Sequence, residues 1–324
     1  MRVFSGMRPS GQLHIGNYLG AIKSWLNLQK KYQCIFAVVD YHGITTPFDI
    51  KNIKKDTLNV VLDYLATGID PKKSIIIIQS QIPEHTELAW ILGSLTPLSW
   101  LERIPTYKEK LALHPKHRNL GLLAYPVLMA ADIVLYKANY VPVGEDQLPH
   151  IELTNAIIKR FNQMFGKTFP KVNGIVTDIG ARIMSLTDPT QKMSKSVPQG
   201  CIALSDSPKA IREKIKRAVT DSGKEIKYDE KNKPAISNLL AIYHLFSNKP
   251  IKKIEEQYKG KGYAEFKKDL AEIIIKGLKP IQEKRKMLEK NPQLVKKILT
   301  EGAKKAQKLA HQTMKEVKEK IGLV

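Results

Sequence analysis

Arg8-Pro9-Ser10-Gly11-Gln12-Leu13-His14-Ile15-Gly16-Asn17 follows a short apolar run, Val3-Phe4, that reads as a first β-strand. Pro9 and Gly11 break that strand into a turn. A helical pattern starts near Gly16 and continues through Tyr18, Leu19, Ile22, Trp25, Leu26 and Leu28. The glycines and the imidazole of His14 therefore stand where a strand passes into a helix. An open parallel sheet binds nucleotides at such a junction, because N–H groups at the helix end point at phosphates. Gly16 lets backbone approach a ligand, and His14 and Asn17 add side-chain donors. Taken alone, the stretch is equally a loop with a surface histidine and a helix cap.

Outward from this turn, strand and helix patterns alternate. Ile35-Phe36-Ala37-Val38-Val39 and Ser74-Ile75-Ile76-Ile77-Ile78-Gln79 are unbroken apolar runs, the pattern of strands buried on both faces. A helix over 56–65 lies between them. The expected fold class is α/β, a Rossmann-like doubly wound parallel sheet with an all-α C-terminal domain. Residues 82–119 read as a segment inserted beside the sheet, with an apolar helix near Trp90 that suits either core or a dimer surface. The stretch 121–136 is strongly helical. Its Asp132 shares one face with Tyr125 and Met129 by the spacing of four and three residues. A carboxylate on an apolar face needs a donor, supplied either by the protein or by a ligand. Tyr140-Val141-Pro142-Val143 is a short strand running into Gly144-Glu145-Asp146-Gln147, a second strand–turn–helix junction. Residues 183–186 read as a last short strand.

Beyond about Asp206 the patterns are helical, over 210–219, 236–246, 251–258, 263–276, 281–288 and 292–320. The last carries an apolar stripe, Ala303, Ala306, Ala310, Met314, Val317 and Ile321, which reads as core. This divides the chain into 1–205, a Rossmann-like α/β domain, and 206–324, a helical domain.

The 324 residues carry a formal net charge of +22, with 43% apolar and 26% charged residues. That composition excludes wholesale disorder. The charge favours an anionic partner, RNA first, although lysine-rich helix faces alone also produce it. Two cysteines, Cys34 and Cys201, give neither a metal-binding spacing nor a disulfide framework, which suits a cytoplasmic protein. No run reaches transmembrane length.

Lys192-Met193-Ser194-Lys195-Ser196, between Pro189 and Pro198, reads as a mobile basic loop whose lysines reach a triphosphate as point charges. With His14-Ile15-Gly16-Asn17 it resembles the paired signatures of the class I aminoacyl-tRNA synthetases. Longer runs narrow the resemblance to the bacterial tryptophanyl-tRNA synthetases. They include Met129-Ala130-Ala131-Asp132-Ile133, the run from Val143 to Thr154, Gly180-Ala181-Arg182-Ile183-Met184-Ser185-Leu186, Ala218-Val219-Thr220-Asp221-Ser222 and Ile236-Ser237-Asn238-Leu239-Leu240.

The resemblance implies ATP-dependent activation of L-tryptophan to the adenylate and transfer to tRNA(Trp), with Mg²⁺ arriving on ATP and a homodimeric, cytoplasmic enzyme without a dedicated metal cage. It implies that Arg8, Pro9, Ser10, Gly16 and Asn17 hold ATP, with Gly144, Glu145 and Asp146 near the ribose and Ile183 beside the adenine. Lys192, Met193, Ser194, Lys195 and Ser196 grip the pyrophosphate, and Lys110 reaches the phosphates. His14, Asn17, Lys110, Lys192 and Lys195 are the residues closest to the chemistry. Asp132 meets the indole nitrogen. Phe4, His42, Met129, Val141 and Val143 wall the ring, while Tyr125 and Gln147 hold the amino group. No protein nucleophile is needed, because the substrate carboxylate attacks the α-phosphorus and catalysis is positioning plus charge stabilisation. Rival readings are a small nucleotidyltransferase, which would not need the helical half, a tyrosyl-tRNA synthetase, and an inactive RNA-binding paralogue. The two lysines of the loop argue against the last.

Overall fold

The structure, a computed structural model, describes residues 1–176, 183–195 and 197–323. The expected sheet is present. In chain order the elements are β1 (Arg2–Met7), α1 (Ile15–Asn17), α2 (Lys23–Leu28), β2 (Gln33–Val38), α3 (Asp40–Gly43), α4 (Ile53–Ala66) and β3 (Ser74–Ile78). Then come α5 (Glu84–Leu95), α6 (Leu98–Glu102), α7 (Pro105–Leu113), α8 (Leu120–Val134), β4 (Tyr140–Val143), α9 (Leu148–Phe165) and β5 (Asn173–Val176). The helical part holds α10 (Pro208–Arg217), α11 (Pro234–Ser247), α12 (Ile251–Gln257), α13 (Tyr263–Glu289) and α14 (Pro292–Ile321). Between α1 and α2 the turns Tyr18–Ile22 widen to π geometry.

The strands run parallel in the order β3-β2-β1-β4-β5. Val3 sits opposite Cys34 on one side and Tyr140 on the other. The strand order reverses between β1 and β4, so a crevice opens beyond their carboxyl ends. Both junctions singled out in the sequence, after Met7 and after Val143, therefore border one crevice. Apolar helices cover both sheet faces. On one, Trp25 of α2 stacks on Phe36 at 4.6 Å and meets Tyr64 of α4 edge-on. On the other lie α5, α8 and α9, burying Leu88, Leu92, Ile133 and Phe161.

Three elements differ from the sequence reading. The stretch 183–186 adds no strand to the sheet; Met184 makes a single antiparallel bridge with Lys192 instead. The fifth strand is Asn173–Val176, too short and too polar at its start to stand out. The helices expected over 263–276 and 281–288 are one, α13, with Pro280 inside it. Pro280 forgoes one backbone bond, a cost of about 3 kcal/mol, while Leu278 and Ile281 on either side bury into the core and hold the helix through.

The α14 stripe does pack as core. Ala306, Ala310, Met314 and Val317 are buried among the residues of α5, α8 and α9. This helix, from the part after 205/206, packs against elements that precede that division and lies along the edge strand β3. Gly302 makes the approach possible, since a Cβ there would stand 2.0 Å from the Ile76 carbonyl oxygen. Covering β3 in this way also blunts the free edge of the sheet.

Candidate active site

The two loop signatures meet. The segment after the lysines runs back along the first turn: Ile15 N–H donates to the Ile202 carbonyl and Leu204 N–H to the Leu13 carbonyl, both at 2.9 Å. Met193 is buried, with its N–H on the Ile183 carbonyl at 2.9 Å. Lys195 Nζ donates to the Gly11 carbonyl at 3.2 Å. Ile183 is buried against Gly16, where a Cβ would stand 3.6 Å from the Ile183 side chain and 2.9 Å from His14 Nδ1. Glycine is thus required by the imidazole beside it as well as by any ligand. The helical part anchors the other end of this loop. Asn238 of α11 accepts from Met184 N–H at 2.9 Å and donates to its carbonyl at 3.0 Å. Asp221 in turn caps α11 through the N–H groups of Ala235 and Ile236. The Asp221 and Asn238 runs of the sequence therefore have structural employment.

Cations converge on this corner. Burial brings Lys195 down to about 8, with Arg8 adding to the lowering and Asp63 and Asp56 opposing it. Burial and Arg8 likewise bring Lys110 down to about 8. Lys110 Nζ rests on the Tyr125 ring, 3.6 Å from its centroid. Burial, Lys195 and Lys192 depress His14 to about 4, so at neutral pH it is a hydrogen-bonding imidazole and not a further cation. Its Nδ1 is buried without a partner among the described residues. Asn17 Oδ1 accepts the His14 N–H at 3.1 Å, so that oxygen serves the turn and only the amide N–H groups are left for other partners. Lys192 and Ser194 are on the surface of the loop; Ser196 lies outside the described residues.

On the β4 side, Glu145–Gln147 form a single 3₁₀ turn after Gly144. Gln147 Nε2 donates to Asp146 Oδ2 at 2.7 Å, which ties together two residues assigned to different ligands. Among the described residues no group of three His, Cys, Asp or Glu is placed to hold a metal ion.

The chain matches the family described as tRNA synthetases class I (W and Y) over residues 1–279. The chain belongs to that family. It is 47% identical to the tryptophan–tRNA ligase of Caldanaerobacter subterraneus subsp. tengcongensis, covering 100% of this chain and 98% of the relative. The tryptophanyl-tRNA synthetase of Mycoplasma pneumoniae superposes with a TM-score of 0.91 at 33% identity, over 100% of this chain and 98% of the other. That of Campylobacter jejuni, solved with ADP and tryptophan, superposes at 0.85 and 39% identity over the full length of both chains.

Against this synthetase background the region of Asp132 is the most highly built part of the crevice. Asp132 is 2% exposed. Its Oδ2 accepts from His42 Nε2 at 2.8 Å, and its Oδ1 from Gln79 Nε2 at 2.7 Å and His85 Nδ1 at 2.6 Å. Burial opposes ionisation, but the electrostatic pull of His85 and the bonds from His42 and His85 outweigh it and hold the carboxyl at about 2. The donor that Asp132 requires is thus supplied three times over by the protein. Two oxygens offer about four lone-pair directions, which leaves one on Oδ2.

Around it, Phe4 is buried and stacks on Tyr136 at 5.6 Å, and Val141 is buried. Met129 and Val143 are half-buried. Tyr125 is buried, and its hydroxyl lies 2.6 Å from Thr106 Oγ1 and 3.4 Å from His150 Nε2. Sequence reading missed Gln79, His85, Thr106, Tyr136 and His150. Gln79 had one signal, a glutamine closing a run of four isoleucines. Tyr136 had the four-residue spacing from Asp132 and His150 a place in the run from Val143 to Thr154, whereas His85 and Thr106 had none, because their partners lie far along the chain.

Proposed function

We propose that the protein is a tryptophan–tRNA ligase, activating L-tryptophan with ATP and passing the aminoacyl group to tRNA(Trp) in the cytoplasm. The observation that carries the amino-acid choice is the buried, ionised Asp132 with one acceptor direction left open. An indole N–H is a donor only, and it suits that direction. Phenylalanine has no such donor and would leave the carboxylate short of a partner, a mismatch that sites of this kind turn into about four to five decades of rejection. Phe4, His42, Met129, Val141 and Val143 surround the ring, and Tyr125 with Gln147 takes the amino group.

ATP lies between the first turn and the lysine loop. Arg8, Ser10, Gly16 and Asn17 on one side and Lys192, Lys195 and Lys110 on the other face its phosphates, with Gly144, Glu145 and Asp146 at the ribose and Ile183 at the base. Mg²⁺ would come with the nucleotide and supply further positive charge at its phosphates. As the tryptophan carboxylate attacks, negative charge moves onto the departing pyrophosphate, where the lysines stabilise it without reorganising. Neutral His14 contributes an N–H to the same oxygens.

The net charge of +22 supports tRNA as the second substrate, taken up by the lysine-rich faces of the helical part, residues 206–324. A second copy of the chain covers the face where Trp90, Leu98 and Leu120 are 80%, 64% and 74% exposed. These rim a cleft of about 630 Å³ between α5, α6 and α8, and exposed apolar side chains gathered at one place mark an interaction surface. The test of the central reading is pyrophosphate exchange with tryptophan and with phenylalanine in Asp132→Ala. The tryptophan-to-phenylalanine ratio of kcat/KM should collapse. An unchanged ratio in the folded variant would remove Asp132 from selection.

A further inference from the structure

We propose that His85 and Tyr136 are positioning residues that set tryptophan selectivity by fixing the orientation of the Asp132 carboxylate. The proposal rests on the reading of Asp132 as the indole partner. Neither residue has been placed against a substrate, and both are sealed from water, at 0% exposure.

The hydrogen-bond directions in this cluster are determined one by one. Gln79 Oε1 accepts the Tyr41 N–H at 3.1 Å, which fixes the amide so that Nε2 points at Asp132. A carboxylate only accepts, so His85 Nδ1 must carry the hydrogen on its 2.6 Å bond to Oδ1. On the far side of the ring, His85 Nε2 is 2.7 Å from the Tyr136 hydroxyl. That hydroxyl meets no second acceptor among the described residues, so it donates to Nε2. Burial pushes the Tyr136 hydroxyl far up its scale, and it keeps its hydrogen. Tyr136 therefore selects the Nδ1–H tautomer of His85, and His85 pins Oδ1.

The consequence lies on the other oxygen. With Gln79 and His85 occupying both directions of Oδ1, the carboxylate cannot rotate about its last bond without breaking two bonds in a dry core. The one open direction of Oδ2 is then fixed in space. A donor at the position of the indole nitrogen is rewarded, and one displaced from it is not. Tyr136 stands four residues beyond Asp132, just past the end of α8, and also backs Phe4 at 5.6 Å. The same side chain thus holds the acceptor and one wall of the ring pocket.

The experiment compares tryptophan with its benzothiophene analogue, in which sulfur replaces the indole N–H at nearly constant shape. Pyrophosphate exchange is measured for both in Asp132→Ala, Tyr136→Phe, His85→Ala and His85→Asn, each checked for a cooperative thermal melt. Tyr136→Phe keeps the stack on Phe4 and loses only the hydroxyl. It should narrow the preference for tryptophan about three- to tenfold, the scale of one neutral hydrogen bond, with KM for tryptophan rising more than kcat falls. His85→Ala should narrow it further. His85→Asn, which returns an N–H near the Nδ1 position, should recover part of the loss. An unchanged preference in Tyr136→Phe and His85→Ala, with Asp132→Ala levelling it, overturns the proposal and leaves the role of Asp132 standing. An unchanged preference in Asp132→Ala overturns both. If His85→Ala does not fold, Tyr136→Phe decides alone.

Discussion

The lysines around the first turn and the carboxylate in α8 border the same crevice, yet the protein treats the two charges oppositely. Among the described residues Lys195 has one hydrogen bond, to the Gly11 carbonyl, and burial draws it down to about 8. Asp132 is more deeply buried, yet His85 and His42 outweigh that burial and hold it at about 2. On the proposed reading the difference follows from the ligands. ATP brings its own negative charge, so the protein leaves its cations under-partnered until the phosphates arrive. Tryptophan brings a single neutral N–H to this corner, so the protein must stabilise the carboxylate itself and leave one place vacant. One wall is built to be completed by its ligand, the other to measure it.

The strongest way to break this comparison is to remove the lysine. Lys195→Ala should lower pyrophosphate exchange by about one to three decades, the cost of one donor aimed at charge that develops in the transition state. Exchange at the wild-type rate would take the loop out of the chemistry.

The converse test is structural. Asp132→Asn keeps the size of the side chain but turns one acceptor oxygen into a donor among three donors. At least one of His42, Gln79 and His85 then faces an N–H. We expect a loss of about 1.5–3 kcal/mol in urea unfolding, the range for hydrogen bonds to a charged group. A loss under about 0.5 kcal/mol would mean that the cluster does not stabilise the fold.

A pH profile separates the two walls within one experiment. A lysine is charged below its pKa, and Lys195 and Lys110 both lie at about 8 in the free protein. Their charge is present at pH 7 and is lost as pH rises through about 8. Hence kcat/KM for ATP should fall on the alkaline side, about tenfold per pH unit for each group that matters. Asp132, at about 2, contributes nothing to this limb. Lys195→Arg, whose guanidinium stays charged, should make the limb shallower and leave only the part that belongs to Lys110. A flat profile from pH 7 to well above 8 would show that these charges are not what binds the triphosphate.

The two walls also differ in how far the sequence reveals them. The phosphate side is written in short continuous runs, because a turn after one strand and one loop do the work. Gly16, His14 and Lys195 could therefore be picked out together. The parallel sheet was equally legible from its unbroken apolar strands. The amino-acid side is assembled across the chain: Gln79 is 53 residues from Asp132, His85 is 47 and His42 is 90. Spacing along one helix exposed Asp132, Tyr125 and Met129, but nothing in a linear pattern pairs a histidine in α5 with a tyrosine beyond α8. The same limit hid β5, whose four residues are a strand only because β4 lies beside them, and the continuity of α13, where neighbouring apolar burial overrides Pro280.

The smallest effect expected is the most discriminating between the walls. Lys195→Ala, so damaging to exchange, should leave the fold at least as stable at neutral pH. The sign follows from linkage. The folded-state value of about 8 lies below the ordinary 10.5, so the folded protein holds its proton less tightly than the unfolded chain does. Folding is therefore handicapped by this ammonium below about 8, and the handicap is relieved as pH rises from about 8 towards 10.5. Removing the side chain gives up one bond to Gly11 and removes the handicap. The two oppose each other, and we expect urea unfolding at pH 7 to fall no more than about 0.5 kcal/mol below the wild type. The rise in wild-type stability above about pH 8 should be smaller in the variant. A clear destabilisation, about 1 kcal/mol or more, would show that Lys195 is a strut holding the loop to the first turn. Its low rate of exchange would then report a displaced loop and not a missing charge.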